Sequence, residues 1–392
     1  MEIKPEIETF AKIKVIGVGG GGSSAINRMI AEQIRGVDFV AVNTDAQALH
    51  HNKAAHKINI GQTVTRGLGA GMNPDLGRKS AEESQDDIKE ILKDTDMVFI
   101  TCGLGGGTGT GAAPVVADIA RDLGILTVGI VTKPFTFEGQ QRRAIAEAGL
   151  EEFVEKVDTI ITIPNDRLLQ VIDKKTSLMD AFRVVDDVLR QGVQGISEII
   201  TIPGLINVDF ADVKAIMNGA GSALMGIGRG SGENRAIDAA KAAIDSPLLE
   251  MSIDGARGIL FTVVGSSDLG MYEINEAAKI ITGAADDDAK VIFGAVISDE
   301  MKDEVKVTVV ATGFEGKGRL RSEPLASREE ASGREEAEKR RSIFLEQDND
   351  FVRKPDKSRS IQDLQEESSS SSSPEEEEDE LEIPAFIRKK MN

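Results

Sequence analysis

The sequence predicts an α/β protein with four parts. They are a Rossmann-like parallel-sheet domain, a long central helix, a second and smaller α/β domain, and a disordered C-terminal tail. Three observations lead there. Strand and helix signals alternate through the first 170 residues, which puts helices on both faces of a parallel sheet. An apolar stripe at helical spacing then runs for about five turns. Near residue 317 the composition breaks into Ser, Glu and Arg.

The elements follow in order. Ile13–Val18 is a short β-branched run and reads as the first strand. Ala25–Gln33 reads as a helix, Val37–Val42 as a strand, Lys79–Lys93 as an amphipathic helix and Met97–Thr101 as a strand. Ala112–Leu123, Leu126–Val131, Gln140–Val154 and Thr159–Ile163 continue the alternation. Leu178, Phe182, Val185, Leu189 and Ile196 carry the long helix, and Pro203 breaks it. In the second block, helix signals fall at Asp212–Met217, Asn234–Ile244 and Met271–Thr282. Its strand signals fall at Ser222–Ile227, Gly258–Val264, Val291–Val296 and Val305–Thr312. The expected boundaries are therefore a first domain over 1–170, a central helix over 171–203 and a second domain over 204–316. A linker over 317–380 and a terminal peptide over 381–392 complete the chain.

Composition excludes several function classes. The chain has 46 Lys and Arg against 66 Asp and Glu, a net charge of −20. Such a surface repels phosphate backbones and anionic lipid, so neither nucleic-acid binding nor direct membrane insertion is expected. Trp is absent and Tyr occurs once, at Tyr272, so the core must be aliphatic. A single cysteine, Cys102, excludes a disulfide framework and a cysteine zinc cluster, and reads as packing rather than a nucleophile. His50, His51 and His56 share one short polar stretch that reads as a solvated loop, so no metal site is expected there. No stretch is long and apolar enough to span a bilayer, and the N-terminus is acidic without an apolar leader. The expected location is cytoplasmic. In the tail, Ser368–Ser373 and the acidic run Glu375–Glu380 cannot bury enough apolar surface to offset their ordering entropy. Apolar residues return at Leu381–Ile387, followed by Arg388, Lys389 and Lys390, which reads as a binding motif on a tether.

The chemistry sits in glycine loops. Gly17-x-Gly19-x-x-Gly22 leaves a strand and opens a helix, as a dinucleotide fingerprint does. Asp45, at the end of the next strand, stands where a ribose ligand would. A nicotinamide-dependent dehydrogenase is thus the alternative reading. A second loop, Cys102–Gly111, again joins a strand to a helix. Two such loops at successive strand ends can clamp one polyphosphate from two sides. Neither loop contains Lys, and GxxxxGK[ST] is absent. Phosphate charge must then meet backbone N–H groups, helix dipoles and a bound cation. Gly67–Gly71 can close the cage.

Gly105-Gly106-Gly107-Thr108-Gly109-Thr110-Gly111 resembles the signature of the tubulin/FtsZ family, and residues 12–314 as a whole are similar to that family. Supporting stretches are Val42–Asp45, Thr65–Gly71, Pro134–Gly139, Ile163–Arg167 and Asn207–Val213. Ser23-Ser24 departs from the Gly or Asn common there. The resemblance implies a GTPase that polymerises head-to-tail into division-ring filaments on the inner face of the membrane. It implies GTP held by Gly20, Gly21, Gly22, Ser23 and Ser24, by Ala70 and Gly71, and by Gly107, Thr108 and Gly109. Glu138 and Arg142 would lie at the ribose and phosphate edge, with Mg2+ bound through the phosphates. Asn165 and Asp186 would face guanine, and Phe182, one turn earlier, would stack on the base. A carboxylate suits guanine N1–H and its amine, a donor pair that adenine lacks. Asn207, Asp209 and Asp212 would be catalytic, inserted into the next subunit's pocket to orient water. The tail Ile383–Arg388 is similar to the family's peptide for membrane-tethering and regulatory division proteins. The dehydrogenase alternative is disfavoured by the second Gly-Thr loop and by the lack of a hydride-site His or Tyr.

Removing residues 381–392 should leave nucleotide hydrolysis and self-assembly intact while abolishing capture by a tethering partner. A flexible chain the length of 317–380 reaches about 45 Å and adds nothing to the core. Hydrolysis assays beside pull-downs on the truncated chain check this division of labour.

Overall fold

Alternation in the first half resolves into parallel pairing. The structure, a computed structural model, describes residues 11–314 except 170, 171, 174, 203, 247, 248, 250, 299 and 300. Strands β1 (Ile13–Val18), β2 (Val37–Asn43), β3 (His56–Asn59), β4 (Met97–Gly103), β5 (Leu126–Lys133) and β6 (Thr159–Pro164) run parallel to their neighbours. β1 lies between β2 and β4, with Val15 in register with Phe39 and Phe99. β4 and β5 are buried almost throughout, as strands covered on both faces must be.

Successive residues feed opposite layers, the period of two that a strand imposes. Val15, Phe99 and Ile130 join one core with Ile26 and Met29 of α1 (Gly19–Ala31) and Val188, Leu189 and Val193 of α9 (Leu178–Thr201). Ile16, Ile100 and Val131 join the other, with Ala113, Val116 and Ala117 of α6 (Thr108–Asp122) and Leu150 and Phe153 of α7 (Gln140–Val154).

The second block extends the same sheet. β7 (Gly221–Ser231) begins parallel to β6 and continues antiparallel to β10 (Glu304–Thr312). β10 pairs antiparallel with β8 (Gly258–Gly265), which pairs parallel with β9 (Lys290–Ile297). The resulting 10-stranded order is β3-β2-β1-β4-β5-β6-β7-β10-β8-β9. α10 (Phe210–Met217), α11 (Arg235–Ile244) and α12 (Met271–Gly283) complete this part.

α9 crosses the sheet against the direction of the parallel strands. Its last residue, Thr201, meets Gly36 just before β2, where an added Cβ would lie 2.5 Å from the Thr201 side chain. α10 is on that same N-terminal edge, since Thr159 at the start of β6 donates its hydroxyl to the Met217 carbonyl.

Several local expectations need correction. α1 and α6 start inside the glycine runs, earlier than Ala25 and Ala112. Close packing there overrides the poor helix propensity of glycine. The helix expected over Lys79–Lys93 is two, α4 (Pro74–Glu83) and α5 (Gln85–Leu92), broken at Ser84. The histidine stretch is no loop: His50 and His51 end α2 (Ala46–His51) and His56 opens β3. The short helices α3 (Gln62–Thr65) and α8 (Asn165–Leu168) have no sequence signal of their own. Pro203, the linker over 317–380 and the peptide over 381–392 lie outside the described residues.

One packing feature is unusually tight. Gly226, Gly228 and Gly230 share a face of β7, where added Cβ atoms would meet the Ala243, Ala239 and Arg235 carbonyls of α11 at 1.9, 1.9 and 2.1 Å. The helix answers with Ala236, Ala239, Ala240 and Ala243. Gly228→Ala should therefore destabilise the fold by about 1–3 kcal/mol, because α11 must lift off the strand. Urea denaturation measures this, and unchanged stability would mean that the helix is free to shift.

Candidate functional site

At the C-terminal edge of the parallel sheet, the ends of the strands open into a cleft of about 380 Å³. Its floor is backbone. α1 starts at Gly19 directly after β1, and α6 at Thr108 after the β4 loop, each without a side-chain cap. α2, α4, α9 and α10 are capped by Asp45, Asn73, Ser177 and Asp209, whereas α5, α7, α8 and α11 also lack a side-chain cap, so α1 and α6 are set apart by starting side by side at this cleft. The free N–H groups and positive dipole ends of two helices thus converge on one cleft, which is what an oligophosphate requires.

Glycine is demanded where the loops touch. A Cβ on Gly19 (φ +72°) would lie 2.8 Å from the Gly109 nitrogen, so the two turns meet backbone to backbone. A Cβ on Gly107 would lie 2.5 Å from the Gly71 carbonyl, which accepts from the Gly107 N–H at 2.8 Å. This ties the third glycine loop into the cradle. The Thr44 and Thr108 hydroxyls share a hydrogen bond of 2.7 Å, and Thr110 accepts from the Gly105 N–H at 2.9 Å.

The other end of the cleft is walled by side chains. Asn165 is buried and its Oδ1 has no hydrogen-bond partner. A buried acceptor left unpaired costs free energy that a ligand N–H can recover. Phe182 is 41% exposed, its ring edge-on to Phe135 at 5.6 Å, so it belongs to the cleft wall and not to the core. Burial pushes the Asp186 carboxyl up to about 6, opposed by the positive charge of Arg28. The adjacent Asp187 behaves differently. Burial raises it, but hydrogen bonds from Arg190 and Gln191 outweigh that and leave it below the usual carboxylate range. Asp186 is the carboxylate left for a ligand. Between the two ends, Glu138 pairs with Arg142 and accepts from the Phe135 N–H at 2.9 Å.

The cleft lining brings together Gly20, Gly21, Ser24, Gly71, Gly107, Thr108, Gly109, Glu138, Arg142, Asn165, Phe182 and Asp186. Gly22, Ser23 and Ala70 stand behind it. Gly22 packs α1 onto β4, with an added Cβ 2.4 Å from the Thr101 carbonyl. Ser23 is buried, and its carbonyl accepts from Asn52 Nδ2 at 2.9 Å. Ala70 is buried, and its carbonyl accepts from the Asn73 N–H at 3.2 Å. Thr132 and Pro134 also line the cleft and escaped the sequence reading. Their position just past a parallel strand was the available signal.

Two sequence expectations separate here. Asp45 does not face the cleft: its carboxylate caps α2, accepting from the Ala48 N–H at 2.9 Å. The dehydrogenase reading loses its ribose ligand. Cys102 is fully buried, which pushes its thiol up to about 12 and leaves it inert as a nucleophile.

Asn207, Asp209 and Asp212 are exposed and lie past the far end of α9. Asn207 Oδ1 accepts from the Gly204 N–H at 2.5 Å, and Asp209 caps α10 by accepting from the Asp212 N–H at 2.7 Å. From Asp186 in the cleft to its end at Thr201, α9 rises about 22 Å. No side chain reaches across that distance, so the trio and the cleft of one chain cannot form a single site.

The family model for the tubulin/FtsZ GTPase domain matches residues 12–173, and that for the FtsZ C-terminal domain matches residues 221–315. An empty FtsZ dimer from M. jannaschii is 49% identical, with a TM-score of 0.75 over 79% of this chain and 90% of that one. The chain belongs to the tubulin/FtsZ family. Two structures from Haloferax volcanii share the fold at lower identity. They are a GDP-bound CetZ1 monomer (22%, TM-score 0.67, over 77% of this chain and 94% of that one) and a GTPγS-bound CetZ2 protofilament (20%, TM-score 0.68, over 84% and 99%). No helix among the described residues of this tubulin/FtsZ chain is long and apolar enough to cross a membrane.

A guanine contact to the ionised Asp186 would make affinity pH-dependent. Below about pH 6 the carboxyl is protonated in the free protein, so guanine-nucleotide affinity should fall about tenfold per pH unit at the limit. The stability sign is opposite. A folded pKa above the unfolded value means that this group's contribution is lost as pH rises through about 6. Asp186→Asn should therefore raise the melting temperature of the nucleotide-free protein at pH 7 and leave it unchanged at pH 4. It should also weaken guanine-nucleotide binding by about 1–3 kcal/mol. Melting curves and binding titrations at both pH values check each arm.

Proposed function

We propose that this chain binds GTP in the cleft, assembles head-to-tail, and hydrolyses GTP where the acidic loop of one copy meets the cleft of the next. The observation that carries this reading is the placement of cleft and acidic loop at opposite edges of one sheet, separated by the part of α9 that lies beyond the cleft. A contact between unlike ends does not close on itself and generates open filaments. The uncapped starts of α1 and α6 receive the phosphates, with Ser24 and Thr108 adding hydroxyl donors. Arg142, held by Glu138, meets the ribose and phosphate edge. Asp186 and the unpaired Asn165 Oδ1 accept from guanine, and Phe182 covers the base.

Among the described residues, the only carboxylates lining the cleft are Glu138 and Asp186, and neither belongs to the glycine loops. This donor set fits Mg2+ held by the phosphate oxygens and water rather than by the protein. Bound there, it would supply charge neutralisation to the transferring phosphoryl group. The three acidic-loop residues then divide the work. Asp209 caps α10 and so fixes the loop. Asn207 spends its carbonyl on Gly204 and keeps its amide donors. Asp212, exposed and on the first turn of α10, is the group that polarises and orients the attacking water. Residues 381–392 would bind membrane-tethering and regulatory division proteins and hold the filament at the division site.

The test is hydrolysis in trans. Asp212→Ala should still bind GTP and assemble, with hydrolysis reduced by a factor of about 100 or more. Thr108→Arg fills the phosphate cradle and should not bind GTP. Mixed, a Thr108→Arg copy presents an intact Asp212 to GTP held by an Asp212→Ala copy, and part of the activity should return. Co-pelleting first establishes that the two variants join. Joining without any activity above either variant alone would place catalysis within one chain.

A further inference from the structure

Behind the cleft, directly after β2, Thr44 is fully buried and does not belong to the lining. Its hydroxyl shares a hydrogen bond of 2.7 Å with that of Thr108, the first residue of α6, which does line the cleft. We propose that Thr44 is a positioning residue for the nucleotide, an inference that rests on the reading of the cleft as a nucleotide site. The Thr44 hydroxyl donates to Thr108 Oγ1, and this commits the Thr108 proton to a phosphate oxygen of the ligand.

The direction follows from counting hydrogens. Each hydroxyl has one hydrogen to donate and lone pairs with which to accept. Among the described residues, each of these two hydroxyls has the other as its one hydrogen-bond partner. If Thr108 donated inward, Thr44 would keep a buried hydrogen without an acceptor, and Thr108 would turn a lone pair toward the cleft. An unspent buried donor and an acceptor facing an anion are both unfavourable. If Thr44 donates, its own hydrogen is used and that of Thr108 is left for the ligand. Accepting from Thr44 also polarises the Thr108 hydroxyl, which strengthens the bond it donates to an anion.

The backbone on both sides is held by other contacts. An added Cβ on Gly77 of α4 would lie 3.0 Å from the Thr108 Cα, and one on Gly19 would lie 3.4 Å from the Thr108 Cβ. The Thr44 carbonyl accepts from the Gly69 N–H and from the Thr65 hydroxyl, each at 3.4 Å. What the hydroxyl pair adds is the rotamer of Thr108, one of three staggered positions. Freeing that rotamer costs about a factor of three in affinity for a ligand that needs one of them, and the lost polarisation adds to it.

The experiment uses the full chain freed of nucleotide. Calorimetric titrations compare GDP with guanosine, which shares the base and ribose and has no phosphate. Thr44→Val keeps the shape of the side chain and removes the hydroxyl. It should weaken GDP about fivefold and leave guanosine within about twofold. Thr44→Ser keeps the hydroxyl and should restore GDP affinity. Thr108→Val should weaken GDP about tenfold, and adding Thr44→Val to it should cost nothing further, because the proton to be positioned is gone. Thr44→Ala reads out the same loss if Thr44→Val fails to fold. Equal losses for GDP and guanosine would make Thr44 a structural support and overturn the proposal. So would additive losses in the double variant, no rescue by Thr44→Ser, or an unchanged GDP affinity without the Thr44 hydroxyl. Failure of the parent chain to bind GDP would overturn the nucleotide reading together with the proposal, which keeps the two failures distinguishable.

Discussion

The nucleotide end of this molecule depends on backbone meeting backbone. α1 and α6 can aim their uncapped N-termini at one cleft only because β1 and β4 are adjacent strands in parallel register. Even then the two turns must approach until Gly19 and Gly109 touch. Any Cβ at that contact would push one helix start away from the other and separate the two dipole ends. The same constraint explains why the cradle contains no lysine. Fixed N–H groups stabilise phosphate charge without ordering a long side chain.

α9 converts that local site into an assembly rule. One end of it carries Phe182 and Asp186 into the cleft, and the other ends near the start of β2. The part of it beyond the cleft separates the cleft from the acidic loop by more than any side chain can bridge. The buried carboxyl of Asp186 shows the conflict this creates. Burial disfavours its ionised form, so a carboxylate that lines the cleft destabilises the empty fold at neutral pH.

The legible parts of the sequence were those in which chemistry and periodicity coincide. β1, β4 and β5 are apolar runs followed at once by glycine or by Pro134, so both the strands and the turns announce themselves. The helical stripe from Val185 to Ile196 survives because one face packs on α1 and β5. Helix starts were not legible, because glycine has poor propensity and only tertiary contact makes Gly19 and Thr108 helical. The break at Ser84 falls between two polar stretches with no proline or glycine to mark it. Asp45 misled for a related reason. An acid after a strand looks alike whether it binds ribose or caps the next helix, and only the Ala48 N–H distinguishes the two.

Thr132 and Gly22 mark the limit from opposite sides. Gly22 belongs to the most recognisable motif in the chain, yet it sits behind the lining because its hydrogen lies against the Thr101 carbonyl. Thr132 belongs to no motif, yet it lines the cleft because β5 ends there. A motif reports which residues must be small for a loop to close. It does not report which atoms face the enclosed space. That second property follows from strand length and register, since shifting β5 by one residue against β4 would turn Thr132 to the other face and bring Val131 to the cleft. The parallel register that buries Val131 in one core layer therefore also decides which residue of β5 lines the cleft. Core packing and site chemistry in this sheet are two consequences of one alignment.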